Sequence, residues 1–200
     1  MSINVEYNNK EIVEVVMTNI LKMLERRKVI ESWQKEIKNL DFSKLIFDFI
    51  VKDKSKYSIN IVNAKLSSVV QGTPLDDYLS NNIDVHKIIV ANDVAKKVVK
   101  QIIYEYKNAE FFFDYEMLED IPSKIFIPEH QLLNDDEKSE LLSKFNEHEL
   151  SSILISDMMT RYYGAKVNDI FRIIRPSITA GRNILYRRVV NGSWDILFSS

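Results

Sequence analysis

An α+β fold in two domains is predicted for this 200-residue chain by three observations. Over the first 124 residues, strand-like and helix-like apolar patterns alternate and end in a strand–helix–strand unit, which calls for a mixed sheet with parallel neighbours. The pattern then changes around Pro122 and Pro128, placing a boundary near Lys124 and domains at 1–124 and 125–200. Beyond it, a capped helix and two strands joined by a Pro- and Gly-bearing connector describe a small α+β domain.

The elements follow in order. Ile12, Val15, Val16, Ile20, Met23 and Leu24 recur at helical spacing between Lys10 and Lys28, and Trp33 and Ile37 share a face of a short second helix. Lys44–Val51 and Tyr57–Val62 read as strands joined by a polar turn over Lys52–Lys56. Pro74 suits the first turn of a helix through Leu79. Lys87–Ala91 is a short buried strand, Val94 to Tyr106 an amphipathic helix, and Glu110–Asp114 another strand. In the second domain, Asn134 and Glu137 form a capping box ahead of Leu141, Leu142 and Phe145. Ser156 is the expected cap of a short helix through Tyr163, with Gly164 at its left-handed stop. Ile170–Arg175 and Arg182–Val190 are the last strands; Pro176, lacking an N–H, is expected to end their pairing, and the small residues Thr179–Gly181 to let another backbone approach.

Charge is unevenly distributed. Residues 1–124 hold 18 basic and 19 acidic side chains, residues 125–157 hold 2 and 8, and residues 158–200 hold 7 and 2. Six of the eight arginines lie in that last stretch: Arg161, Arg172, Arg175, Arg182, Arg187 and Arg188. Arginine suits planar, bidentate recognition better than lysine, so the C-terminal third reads either as a recognition surface or as a basic face paired with the acidic stretch before it.

Enzyme chemistry finds little support. With no cysteine there is no disulfide, thiolate metal site or thiol nucleophile. His130 and His148 lack a zinc spacing, and His86 precedes a buried strand. Neither Gly72-Thr73-Pro74 nor Gly192-Ser193 makes a phosphate loop. Phe111–Phe113 reads as strand core rather than a base-stacking platform. No metal, cofactor, small-molecule substrate or membrane partner is expected. The polar start of the chain is no secretory leader, and no apolar run approaches the roughly 20 residues of a membrane span, so an intracellular protein is expected.

Ile127-Pro128-Glu129-His130, the acidic-capped helix, Asp157 with Arg161-Tyr162-Tyr163-Gly164, Ile173-Ile174-Arg175-Pro176-Ser177, Thr179-Ala180-Gly181-Arg182 and Tyr186-Arg187 form an ordered set over about 65 residues. In this the chain resembles the fifth common subunit of eukaryotic and viral DNA-dependent RNA polymerases, whose C-terminal half is similar to a small archaeal polymerase subunit. It departs from the family at Ile178, where a glutamate is usual, and at Asn92–Lys97, which lacks the family's Thr-Pro loop. The resemblance implies a non-catalytic subunit with an N-terminal α/β jaw domain and a C-terminal assembly domain. That assembly domain is implied to dock on the largest polymerase subunit, near a neighbouring small common subunit. Pro128, His130, Arg161, Tyr162 and Gly164, with Arg175, Pro176, Thr179, Gly181, Arg182, Tyr186 and Arg187, are the implied subunit-binding residues. The jaw is implied to line the downstream DNA cleft, with Asn92, Lys96 and Lys97 the candidates facing DNA.

The jaw fold in that family is similar to restriction-type nucleases, which hold a divalent metal between an Asp on one strand and an acid-x-Lys on the next. Here Asp48 is followed by Asn63-Ala64-Lys65, with an amide where the acid is needed. The alternatives are therefore a free-standing nucleic-acid binder using the C-terminal arginines and, behind it, a nuclease relic. Ile, Asn and Lys together make up 60 residues, a bias of AT-rich genomes, and an apolar tail follows Val190. These features point to a divergent viral copy acting in a cytoplasmic factory or virion; a cellular copy would be nuclear.

Overall fold

Eighteen residues, Asn9–Arg26, form the first helix, α1, because apolar side chains recur on one broad face. Val13, Val16, Met17, Ile20, Leu21, Met23 and Leu24 are all buried. Ile12 and Val15 are only half-buried, so the inward face is centred one residue later than expected. Helix α2 (Trp33–Glu36) runs on as a 3-10 turn over Ile37–Asn39. The computed structural model describes residues 9–51, 55–177 and 181–198. The expected turn at Lys52–Lys56 falls partly, and Ile178, Thr179 and Ala180 fall wholly, outside them.

The chain divides into two units, Met1–Glu119 and Asp120–Ser200. In the first, β1 (Ile46–Ile50) and β2 (Lys56–Val62) pair antiparallel. β3 (Val85–Ala91) lies parallel to β2, and β4 (Ala109–Phe113) parallel to β3, giving the order β1-β2-β3-β4. Each parallel step needs a crossover, supplied by α3 (Pro74–Ser80) and α4 (Lys96–Glu105). Thr73 caps α3 by accepting from the Asp76 N–H, with Pro74 in the first turn. Ile88, Ile89 and Val90 on β3 are fully buried, as an inner strand covered on both faces requires, and so is Phe112 on the edge strand β4. A short helix, α5 (Asp114–Met117), follows β4.

Several buried polar groups in this unit find partners within it. Lys87, buried on β3, donates its ammonium to the carbonyls of Leu79 (2.7 Å) and Asn81, tying the end of α3 to the sheet. Asn19 on α1 donates to the Met117 carbonyl at 2.8 Å. Arg27 meets Glu110 with both guanidinium nitrogens, at 2.7 and 2.6 Å, and His86 Nε2 lies 2.5 Å from the same carboxylate. Tyr57 covers the His86 ring, their centroids 4.8 Å apart.

In the second unit, β5 (Glu129–Leu132), α6 (Asp135–Lys144), β6 (Ser151–Leu154) and α7 (Met158–Tyr162) precede β7 (Ile170–Ser177) and β8 (Gly181–Val190). The sheet order is β5-β7-β8-β6, with β6 parallel to β8 and the other pairs antiparallel. Two mixed four-stranded sheets thus give the α+β fold. The capping box at α6 is formed: Asn134 Oδ1 accepts from the Glu137 N–H at 2.9 Å, and Glu137 Oε2 accepts from the Asn134 N–H at 3.1 Å.

Four local expectations are corrected. Asp157, not Ser156, caps α7, accepting from the Met159 N–H at 2.8 Å; a carboxylate suits the positive helix end, while buried Ser156 donates to the Ser193 carbonyl at 3.4 Å. Pro176 does not end the pairing, because β7 continues opposite Arg182 to Ser177. β5 reaches only Ile174, so beyond that point β7 has one neighbour and a missing N–H can fall on the open edge. Phe145 leaves the apolar stripe and is 50% exposed. A Cβ at Gly181 would meet nothing within 4 Å, so the glycine serves the backbone at φ +70° rather than a close approach within the chain. The tail forms a 3-10 turn, Trp194–Phe198, with Trp194, Leu197 and Phe198 half-buried.

Burial alone would raise the Glu110 carboxyl, but Arg27 and His86 outweigh it and hold the group down at about 2, against an ordinary 4.5. Its contribution is therefore complete above pH about 4.5 and is lost as pH falls towards 2. In acid melts, the wild type should lose about 3 kcal/mol across that window. Glu110→Gln should start lower by a similar amount and show a flatter pH profile; equal slopes would refute the role of the pair.

Candidate functional site

The site is built on the β7–β8 hairpin, whose uninterrupted register sorts side chains between two faces. Ile170, Arg172, Ile174, Pro176, Arg182, Ile184, Tyr186 and Arg188 alternate onto one face. It packs with Leu133 and Leu141, which extend from α6 and its approach. Phe171, Ile173, Arg175, Asn183, Leu185, Arg187 and Val189 alternate onto the other, which packs with Ile153, Ala165 and Tyr163 around α7.

The arginines, grouped together by the sequence, separate on this basis. On the α6 face, Arg172 lies 3.3 Å from Glu137 and donates to Gln131 at 3.4 Å. The Tyr186 hydroxyl and then Glu137 hold its charge more firmly than usual. Arg188 meets Glu147 at 2.9 Å. The acidic stretch thus neutralises these two. Arg161 is buried, its Nε donating to the Ser156 carbonyl at 3.3 Å and one terminal nitrogen lying 3.7 Å from Met158 Sδ. Tyr162 beside it is 3% exposed. Gly164 takes φ +63° and donates to the Arg161 carbonyl, closing α7 in the left-handed stop expected of it.

Arg175, Pro176, Gly181 and Arg182 are exposed at the far end of the hairpin, and Arg187 is half-buried nearer its base. Thr179 lies outside the described residues. His130, on β5 opposite Ile173, is half-buried, its Nδ1 2.7 Å from the Pro128 carbonyl and its ring edge-on to Phe171 at 5.8 Å. That carbonyl makes Nδ1 the donor. Burial, aided by Arg187 and Arg175, lowers the His130 pKa, while Pro128 and Asp157 act the other way.

Sequence reasoning grouped the arginines and offered the acidic stretch as their partner without telling which of them it pairs with. The signal was present in the period-2 alternation of β8, which sets Arg187 apart from Arg182 and Arg188. It also missed Ile125, fully exposed, and Phe126, 71% exposed, beside Pro128.

In the first unit, Asn92, Lys96 and Lys97 are exposed where β3 leads into α4. The nuclease arrangement is not assembled: Asp48 accepts from Ser58 Oγ at 2.6 Å, and Lys65 pairs with Asp93 at 3.0 Å instead. Among the described residues no group of three or more His, Asp or Glu is placed to hold a metal. Nor is any helix among them long and apolar enough to cross a membrane. His86 is structural, and Phe111–Phe113 are strand core, as the sequence suggested.

The family model for the RNA polymerase Rpb5 C-terminal domain matches residues 119–189. DNA-directed RNA polymerase subunit 5 of Acanthamoeba polyphaga mimivirus is 30% identical over 195 residues, covering 92% of this chain and 94% of the relative. The Dictyostelium discoideum subunit rpabc1 of DNA-directed RNA polymerases I, II and III is 29% identical, covering 88% and 95%. Subunit Rpo5 of the Methanococcus vannielii polymerase is 39% identical over 75 residues, 36% of this chain but 96% of the relative.

Asp157→Ala should remove the α7 cap at a cost of about 1 kcal/mol in thermal unfolding. It should also lower the His130 pKa further, because Asp157 is one of the groups raising it. An NMR titration of the imidazole checks the direction, and an upward move would contradict this geometry.

Proposed function

The chain belongs to the Rpb5 family of DNA-directed RNA polymerase subunits, and from that membership we propose that its C-terminal unit is the assembly module that docks it on the largest polymerase subunit. It is itself a non-catalytic member of the complex; nucleotide addition belongs elsewhere in the enzyme. One observation carries the docking reading: the Methanococcus subunit matches over 75 residues, 36% of this chain but 96% of its own length, about the size of the Rpb5 C-terminal domain matched at residues 119–189. A polymerase subunit reduced to that unit is still a polymerase subunit, so the features needed for assembly lie within it. The exposed end of the hairpin, with Arg175, Pro176, Gly181 and Arg182, the half-buried Arg187 and the approach through Pro128 and His130 form the contact surface. Arg161, Tyr162 and Gly164 hold its underside in shape, and Tyr186 packs beneath the α6 face. Thr179 belongs to the same surface by its place in the connector. A small common subunit is the second neighbour.

The N-terminal unit faces downstream DNA as one wall of the cleft, with Asn92, Lys96 and Lys97 towards the duplex. Its 18 basic and 19 acidic side chains support a contact made within the complex rather than independent binding, which needs a basic face that releases counterions. Similarity to the mimivirus subunit supports a viral setting, in a cytoplasmic factory or a virion.

Native purification of the tagged full chain from its source, with partners identified by mass spectrometry, tests the assignment. The two large polymerase subunits should be recovered in near-equal amount with the tagged chain, and the isolated chain should bind duplex DNA weakly at 150 mM salt (about physiological ionic strength). Recovery of the chain without the large subunits, or tight and steeply salt-dependent DNA binding by the chain alone, would overturn it in favour of a free-standing nucleic-acid binder.

A further inference from the structure

Arg187 is at odds with its surroundings. It sits on β8 between Leu185 and Val189, on the α7 face of the sheet, opposite Phe171 and Ser151. Its Nε is buried and has no hydrogen-bond partner, and no carboxylate among the described residues pairs with its guanidinium. A buried charged donor without an acceptor is costly, so native structures satisfy such groups almost always. Arg188 also has an unpartnered Nε, but its guanidinium already holds Glu147 at 2.9 Å. Arg187 has no such counter-ion.

The neighbours on that face compound the imbalance. Arg175 is exposed four register positions along β7, the second residue on the same face beyond Phe171, and both arginines act electrostatically on His130 between them. Asp157 is the acid that reaches this group, and its carboxylate is committed to the Met159 N–H at the start of α7. On the opposite face, Arg172 and Arg188 each have a glutamate from the chain itself. The two half-buried arginines of the α6 face thus have counter-ions, while the half-buried Arg187 of the α7 face has none among the described residues.

We propose that the α7 face of the hairpin receives an acidic segment of the neighbouring polymerase subunit, with one carboxylate taken by Arg187 and a second acid within reach of Arg175. This rests on the reading that the C-terminal unit docks within the polymerase, and it specifies which face docks and what chemistry the partner brings. A carboxylate accepting from Nε and a terminal nitrogen would satisfy the orphaned donor in the bidentate geometry that guanidinium favours. Leu185 between the two arginines supplies apolar contact, and the desolvated setting strengthens the pair. Arg182 lies on the opposite face and takes neither of these two carboxylates.

The test uses intact polymerase carrying the full chain with Arg187→Lys or Arg175→Lys, each of which keeps the positive charge. A zero-length carbodiimide condenses an amine and a carboxylate into an amide with loss of water. Mass spectrometry should find the introduced amine joined to an Asp or Glu of another subunit. In parallel, Arg175→Glu/Arg187→Glu should lower recovery of the large subunits by at least tenfold, while Lys144→Glu, on α6 and outside the contact surface, stays within twofold of wild type. Thermal melts of the isolated chains separate lost docking from lost folding. If the wild type brings down the polymerase but neither lysine variant links to an acid, or Lys144→Glu harms recovery as much as the double reversal, the acidic-partner assignment is wrong while docking stands. If the wild type brings down no polymerase, the docking reading fails, and this assignment with it.

Discussion

The unbroken antiparallel register between β7 and β8 is the constraint on which the C-terminal unit depends. Because side chains alternate with a period of two, a shift of one residue would exchange the two faces completely. Ile170 would leave the α6 core, Phe171 and Ile173 would leave the α7 core, and the salt bridges to Glu137 and Glu147 would lose their arginines. Two hydrophobic clusters and two ion pairs therefore hold the same register from opposite sides. Gly181 allows the strand to start in a left-handed conformation, and Gly192 lets the tail pass Leu154, where a Cβ would come within 2.9 Å of its side chain. Neither glycine has a comparable substitute, since one needs positive φ and the other needs space.

The N-terminal unit solves a different problem. Its inner parallel strands are covered on both faces, so every polar group carried inward needs a partner from a distant part of the chain. Lys87 finds two carbonyls at the end of α3, and Glu110 finds Arg27 just beyond α1 and His86 on β3. These contacts do more than compensate burial. Each joins a helix or its end to the sheet through a charged group, so that helix and sheet cannot part without leaving a charge in a poor environment. The same satisfaction explains why neither cluster offers reactivity: the lysine and the carboxylate are both occupied by structural partners.

How much of this was legible depended on distance along the chain. The order and type of the elements followed from periodicity, and the box at Asn134 and Glu137 from two residues three apart. The α7 cap was misplaced by one position because Ser156 and Asp157 are both good caps; only the direction of each side chain, one inward to Ser193 and one back to Met159, decides. The contact between Arg27 and Glu110 spans 83 positions, and nothing local announces it. The arginine-rich end was recognised as a surface, but the charge count merged residues that the pleat keeps apart. Of the two open alternatives, a basic face neutralised by the acidic stretch describes Arg172 and Arg188, and recognition is the proposal for the other side of the hairpin.

That division bears on how a subunit without chemistry of its own can be read. Evidence of function then lies in what the fold leaves unsatisfied. Exposed charge is a weak guide, since surface groups are well served by water: Lys65 and Asp93 pair at 3.0 Å while both stay largely exposed, and such pairs contribute little. The partly buried Arg187 guanidinium is different, because its Nε is out of reach of water and no acceptor for it is found among the described residues. Among the hairpin arginines Arg187 combines these two conditions, and it lies within residues 119–189, which match the Rpb5 C-terminal domain. A group that is costly in the free subunit and satisfied in the assembled one makes association stronger than the contact area alone would suggest, and ties that strength to the correct partner.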